Sequence, residues 1–360
     1  MRLAAFVSAV SLILALAACE NISVPADVTD TGDVVHSPTE ERAAAVETPA
    51  PRRPERIELY GTIAESALNS RSVYFYNVSA GYPVFSKNED MSVPPASVLK
   101  IMTCLITLEN VSDLDATVEV PYACFEEFYS GNPNKEDTAS AGIAAFQDNL
   151  TYRDCLYGLM TASGCDASNV LAYNAGGGDI GAFIGMMNAK AAELGCAGTN
   201  FTNAHGLFEP DNYSCARDIF LITEYACENY PAFMEICGAE SYEMPPNAYY
   251  PDGYVISSFN PLTQKRENNP YYYGSARALK TGSIDYFYEY VDGAWEVLGE
   301  GVTSLVSYAV YDGELYVAVT LGAPFYFGPY TDGDGNSLAR MHYTLADHKL
   351  LYETAFGKAR

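Results

Sequence analysis

Ser97 and Lys100 stand three residues apart at the start of a strongly apolar stretch, Val98 to Leu108. If that stretch is a helix, the hydroxyl and the amine share one face about a turn apart, close enough to touch. Serine is a weak nucleophile at neutral pH and needs a neighbouring base. A lysine, with an ordinary pKa of about 10.4, serves as that base only when burial or a second cation depresses it. A helix N-terminus beneath Ser97 would also favour the anionic oxygen created by attack on a carbonyl. The pair alone is a common coincidence, but it has company. Lys280-Thr281-Gly282 falls on a predicted strand, where the first two side chains can hold a carboxylate and the glycine lets a substrate backbone come close. Ser163-Gly164-Cys165 falls in a turn between two helical segments and offers a third hydroxyl that can relay a proton.

The elements that must position these residues are legible in outline. Ser72 to Asn77 and Pro83 to Phe85 flank turn residues and predict a hairpin. Tyr152 to Thr161, Ala167 to Asn174, Ile180 to Leu194 and Ala216 to Glu228 carry apolar residues at helical spacing. The last third reads as strands, with Ala278 to Lys280, then Leu305 to Tyr311 joined by Asp312-Gly313 to Leu315 to Leu321, before a final helix over Leu345 to Phe356. Strands at both ends of a helical middle predict one α+β domain whose terminal strands share an antiparallel sheet.

Composition sets the compartment and removes some partners. The 360 residues carry a net charge of −26, which leaves no basic surface for nucleic acid. Arg2, the apolar run Leu3 to Leu16 and Leu16-Ala17-Ala18-Cys19 read as an export signal over residues 1–18. Small residues before a cysteine are similar to a bacterial lipobox, with Cys19 as the lipidated residue. Residues 19–58, rich in Pro, Thr, Ala and acidic side chains, read as a flexible tether, and residues 59–360 as the folded part. The reading is therefore an exported protein, lipid-anchored outside the cytoplasmic membrane. Eight cysteines besides Cys19 invite a disulfide framework, but Cys104, Cys155, Cys215 and Cys227 lie in apolar helical patterns, and Cys227 with Cys237 is the first pair to test. No cofactor and no metal site are called for.

The stretches Pro95 to Thr103, Asn203-Ala204-His205-Gly206-Leu207, Ala216-Arg217-Asp218 and Leu321-Gly322-Ala323-Pro324 closely resemble the serine D-Ala-D-Ala carboxypeptidases, the low-molecular-mass penicillin-binding proteins. The resemblance spans roughly residues 60 to 358 and covers the three elements in their order. It implies a β-lactamase-like fold, without the second β-rich domain of many relatives. Carried over, Ser97 attacks the carbonyl between two terminal D-alanines of a peptidoglycan stem peptide, Lys100 accepts its proton, and water hydrolyses the acyl-enzyme. Ser163 passes a proton to the leaving D-alanine, and Lys280 and Thr281 hold its carboxylate beside Gly282. The backbone N–H groups of Ser97 and Ser283 form the oxyanion hole. β-Lactams would trap Ser97.

Two features depart from that pattern within the domain. Where the family's second motif has asparagine this chain has Cys165, whose thiol is the weaker hydrogen-bonding group and would reduce binding or turnover. Tyr286 to Gly301 reads as an aromatic, acidic insertion beside the cleft. The alternatives are a catalytically weakened binder of stem peptides or β-lactams and, ranked below it, a β-lactamase. His205 and an Arg217-Asp218 pair are read as structural.

Overall fold

The computed structural model describes residues 59–136, 138–258, 261–262, 269–325, 330–331, 337–338 and 343–357. Cys19, the export signal of residues 1–18 and the tether of 19–58 lie outside the described residues.

Ser72–Asn77 forms strand β1, in which Val73 and Phe75 turn into the core, and Tyr82–Lys87 returns antiparallel as β2. The helices then follow as α1 (Lys100–Asn110), α2 (Tyr152–Thr161), α3 (Cys165–Ala175), α4 (Ile180–Glu193), α5 (Ala216–Asn229) and α6 (Pro231–Gly238). Every residue of α1 from Lys100 to Leu108 is buried, as its all-round apolar sequence requires. Thr151 and Asp154 close α2 with a reciprocal capping box. A small pair, β3 (Ser241–Met244) and β4 (Tyr254–Ser257), precedes the long strands β5 (Ala276–Val291), β6 (Ala294–Tyr311) and β7 (Glu314–Pro324). Helix α7 (Tyr343–Phe356) packs on β6 and β7.

The main sheet has the order β2-β1-β7-β6-β5, antiparallel throughout. Its first strands in the chain therefore pair with the last, with Ser72 opposite Leu321 and Asn77 opposite Tyr316. β5 is an edge strand. The sheet-and-helix architecture agrees with the α+β class expected from sequence.

Two expectations change in detail. Tyr286 to Gly301 is not a separate insertion: β5 and β6 continue through it as one hairpin, turned at Asp292-Gly293. Both turn residues have positive φ (50° and 90°), the conformation of a two-residue primed turn, and Asp312-Gly313 repeats it between β6 and β7 (51° and 79°). Arg217 and Asp218 do not pair with each other. Arg217 reaches Asp90, while Asp218 accepts from the Gly198 N–H and the Thr199 hydroxyl. The eight described cysteines, Cys227 and Cys237 among them, are all free thiols and all buried.

Candidate active site

The chain enters α1 through a tight 3₁₀ turn, Ala96–Leu99, so Ser97 precedes the α-helix proper by one turn. In 3₁₀ geometry side chains three residues apart eclipse. The Lys100 ammonium accordingly lies under Ser97, with Nζ 2.9 Å from Oγ. Ala96, fully buried, holds φ of +53°, a conformation that costs an alanine about 1 kcal/mol or more. Two glycines allow the surrounding chain to clamp this turn. A Cβ on Gly206, itself at φ +85°, would sit 2.1 Å from the Ala96 carbonyl oxygen, and one on Gly282 would sit 2.9 Å from the Ser97 nitrogen. The strained turn is thus held between the loop after His205 and strand β5.

Lys100 is completely buried. Its Nζ donates to Ser97 Oγ, to the His205 carbonyl at 2.6 Å and to Cys165 Sγ at 3.5 Å. Lys280, also buried, donates from Nζ to Ser163 Oγ at 2.8 Å and to the Thr281 carbonyl at 2.7 Å. Neither lysine has a carboxylate ion-pair partner among the described residues. Burial lowers the pKa of Lys100, and burial reinforced by the Lys100 charge pushes Lys280 well below the ordinary lysine value. Burial raises the Cys165 thiol, against the pull of Lys100, and keeps it protonated.

The residues read from the sequence as catalytic or substrate-binding are therefore brought to one place. Ser97, Ser163, Cys165, Thr281, Gly282 and Ser283 all border a cleft of about 840 Å³, and the buried Lys100 and Lys280 hydrogen-bond to Ser97 and Ser163 respectively. The half-buried Ser97 and Ser163 face the cleft, each with a lysine amine at hydrogen-bonding distance. A buried amine that loses its proton at Lys100 can take one from Ser97, and the paired Lys280 and Ser163 can supply one on the other side.

The partners that hold His205 were not visible in the sequence. His205 donates from Nε2 to Glu127 at 3.1 Å, and its Nδ1 accepts from the Leu207 N–H at 3.1 Å. These partners assign a neutral ring with the proton on Nε2, consistent with burial lowering its pKa. Burial opposes ionisation of Glu127, but His205, the Lys135 ammonium at 3.0 Å and Asn169 outweigh it and hold the carboxyl far below the usual range. Lys135 also pairs with Glu209. The network fixes the loop whose His205 carbonyl receives Lys100. Its members lie up to 82 positions apart, from Glu127 to Glu209, and no local motif joins them.

A sequence profile of the D-alanyl-D-alanine carboxypeptidase family matches residues 61–286. The chain belongs to that family. Among its members, the D-alanyl-D-alanine carboxypeptidase of Streptomyces sp. (strain K15) is 33% identical over 162 residues, 43% of this chain and 54% of the relative. The chain thus spans about half the length of the curated relatives it matches. A solved variant of the Streptomyces K15 DD-transpeptidase, in which a cysteine is changed to asparagine, superposes with a TM-score of 0.56 at 25% identity, over 71% of this chain and 91% of that one. Another solved variant of the same enzyme (TM-score 0.56, 24% identity, 71% of this chain and 92% of that one) changes a serine two positions earlier to alanine. That enzyme therefore carries a serine and a cysteine two positions apart, the spacing of Ser163 and Cys165.

Proposed function

We propose that this protein is a serine D-Ala-D-Ala carboxypeptidase, releasing the terminal D-alanine of peptidoglycan stem peptides through an acyl-enzyme at Ser97. The observation that carries the reading is the fully buried Lys100, with no carboxylate partner among the described residues and its amine 2.9 Å from Ser97 Oγ. In its neutral form the amine takes the Ser97 proton as Oγ adds to the substrate carbonyl. The backbone N–H groups of Ser97 and Ser283, both on the cleft, receive the oxyanion. Lys280 and Thr281 hold the terminal carboxylate, and Ser163, bonded to Lys280, hands a proton to the departing amine. Collapse of the intermediate breaks the peptide bond, leaving the donor esterified to Ser97 until water hydrolyses it. Cys165 takes part as a neutral thiol steadying Lys100 rather than as an amide that binds substrate.

A β-lactam presents the same carbonyl and carboxylate and would acylate Ser97. The test is labelling with a fluorescent penicillin, with D-alanine release from a pentapeptide measured alongside. Labelling that survives Ser97→Ala would overturn the nucleophile assignment.

For location, the export signal and Cys19 support a lipid-anchored protein outside the cytoplasmic membrane. Cys19→Ala should move it from the membrane to the soluble fraction; an unchanged distribution would count against lipidation.

A further inference from the structure

The edge strand β5 leads away from the Ser97 turn toward a side chain that occupies the same edge. Asn134, in the loop at the cleft rim, donates from Nδ2 to the Tyr288 carbonyl at 2.8 Å and accepts from the Tyr288 N–H at 3.0 Å. A side-chain amide that satisfies both backbone groups of one residue reproduces the bonds of a neighbouring strand. The loop is not free to leave. The adjacent Lys135 is buried and anchored to Glu127 and Glu209, and Asn132 caps the same turn by accepting from the Asn134 N–H. Opposite, Phe208 packs on Phe287 with ring centroids 4.5 Å apart. Asn134 and Tyr288 both border the cleft that holds Ser97.

This inference rests on the carboxypeptidase reading for the direction of the substrate. With the terminal carboxylate at Lys280 and Thr281 and the reacting carbonyl beside Gly282 and Ser283, the rest of the peptide must run along β5 toward Tyr288. That is antiparallel addition of a strand to a sheet edge. We propose that Asn134 is a specificity-determining residue that ends this edge, so that a peptide donor can pair with β5 no further than Phe287. The span from Thr281 to Phe287 is seven residues of β5, about 23 Å at roughly 3.3 Å per residue. A pentapeptide fits within it. A longer linear peptide must leave the edge or displace the Asn134 clasp.

The experiment compares kcat/KM for synthetic peptides of five and ten residues, both ending in D-Ala-D-Ala, in the wild type, Asn134→Ala and Asn134→Asp. Penicillin labelling of Ser97 checks that each variant keeps its site. The expected result is that the ten-to-five ratio rises about tenfold in Asn134→Ala and less in Asn134→Asp, which keeps the acceptor for the Tyr288 N–H. A rise of less than threefold in Asn134→Ala overturns the clasp. Wild-type protein that releases no D-alanine from either peptide and takes no penicillin label overturns the reading of the site itself, and the clasp with it.

Discussion

The two ends of strand β5 are built on opposite plans. At Gly282 the strand passes so close to the Ser97 turn that even a methyl group would collide, and the side chains around it are buried and multiply bonded. Beyond Tyr288 the same strand runs out with β6 into a hairpin whose Tyr290, Trp295, Val297 and Leu298 are exposed. The β5–β6 pairing runs through both ends with one register shift near each, at Ala278/Lys280 and Phe287/Tyr288, so the backbone pairing does not make the difference. Contacts from outside the sheet do: the Ser97 turn, the His205 loop and the Ser163 turn converge on one end, whereas toward the other the Asn134 side chain bonds to Tyr288 and Phe208 packs on Phe287. Chemistry needs its groups held within a fraction of an ångström, and such precision is supplied where several elements press on the same few atoms.

This contrast can be broken most severely at the Ser97 end. Ser97→Ala should abolish penicillin labelling, and Lys100→Ala should slow it about a thousandfold while the protein stays folded. Gly206→Ala places a methyl group against the Ala96 carbonyl in a left-handed backbone, and should cost about 2 kcal/mol or more of stability together with most of the labelling. Thermal melts and labelling kinetics check both losses. Glu127→Ala removes the acceptor of a buried His205 N–H and one of the two carboxylates on Lys135, for about 1–3 kcal/mol in the melt and a labelling rate about tenfold lower. Glu127→Gln, which keeps an acceptor oxygen, should restore part of the rate, a recovery that simple loss of packing would not give.

The same end should carry the pH dependence. Only neutral Lys100 accepts a proton, and its pKa is lowered from 10.5, so acylation should rise with pH and level off at a midpoint below 10.5. Labelling rates measured across pH check that rise. The smallest effect belongs to the hairpin tip. Trp295→Ala should alter stability by no more than about 0.5 kcal/mol and labelling by less than twofold. A large loss there would mean that the tip shares the work of the cleft.

The sequence carried the chemistry of this site better than its geometry. Ser97 with Lys100, Ser163 with Cys165, and Lys280 to Ser283 are short runs whose side chains meet because helix and strand periods are fixed, so they could be read locally. The hairpin through Asp292-Gly293 was equally local: its turn is the dipeptide already recognised at Asp312-Gly313, and the surrounding aromatic and acidic residues obscured the strand pattern. Glu127, Lys135 and Glu209 are different. They come together only after the loops carrying them are folded, and an acidic residue in an acidic chain gives no sign that it will be half-buried against a buried lysine. The role of Cys165 depended on tertiary structure too, since its approach to Lys100 spans 65 positions.

The pairing of β1 with β7 also bears on how the protein reaches its working form. Ser72 and Leu321 are neighbours in the sheet, so the sheet cannot close until nearly the whole domain has been made. Long-range antiparallel pairing of this kind brings a large loop-closure entropy and slow folding. Ser97 and Lys100 come early in the chain, but the strand that presses on them comes from the last third. A nascent or truncated chain would possess the nucleophile and its base without the surface that confines them, so the ability to be acylated would mark the end of folding rather than any stage along it.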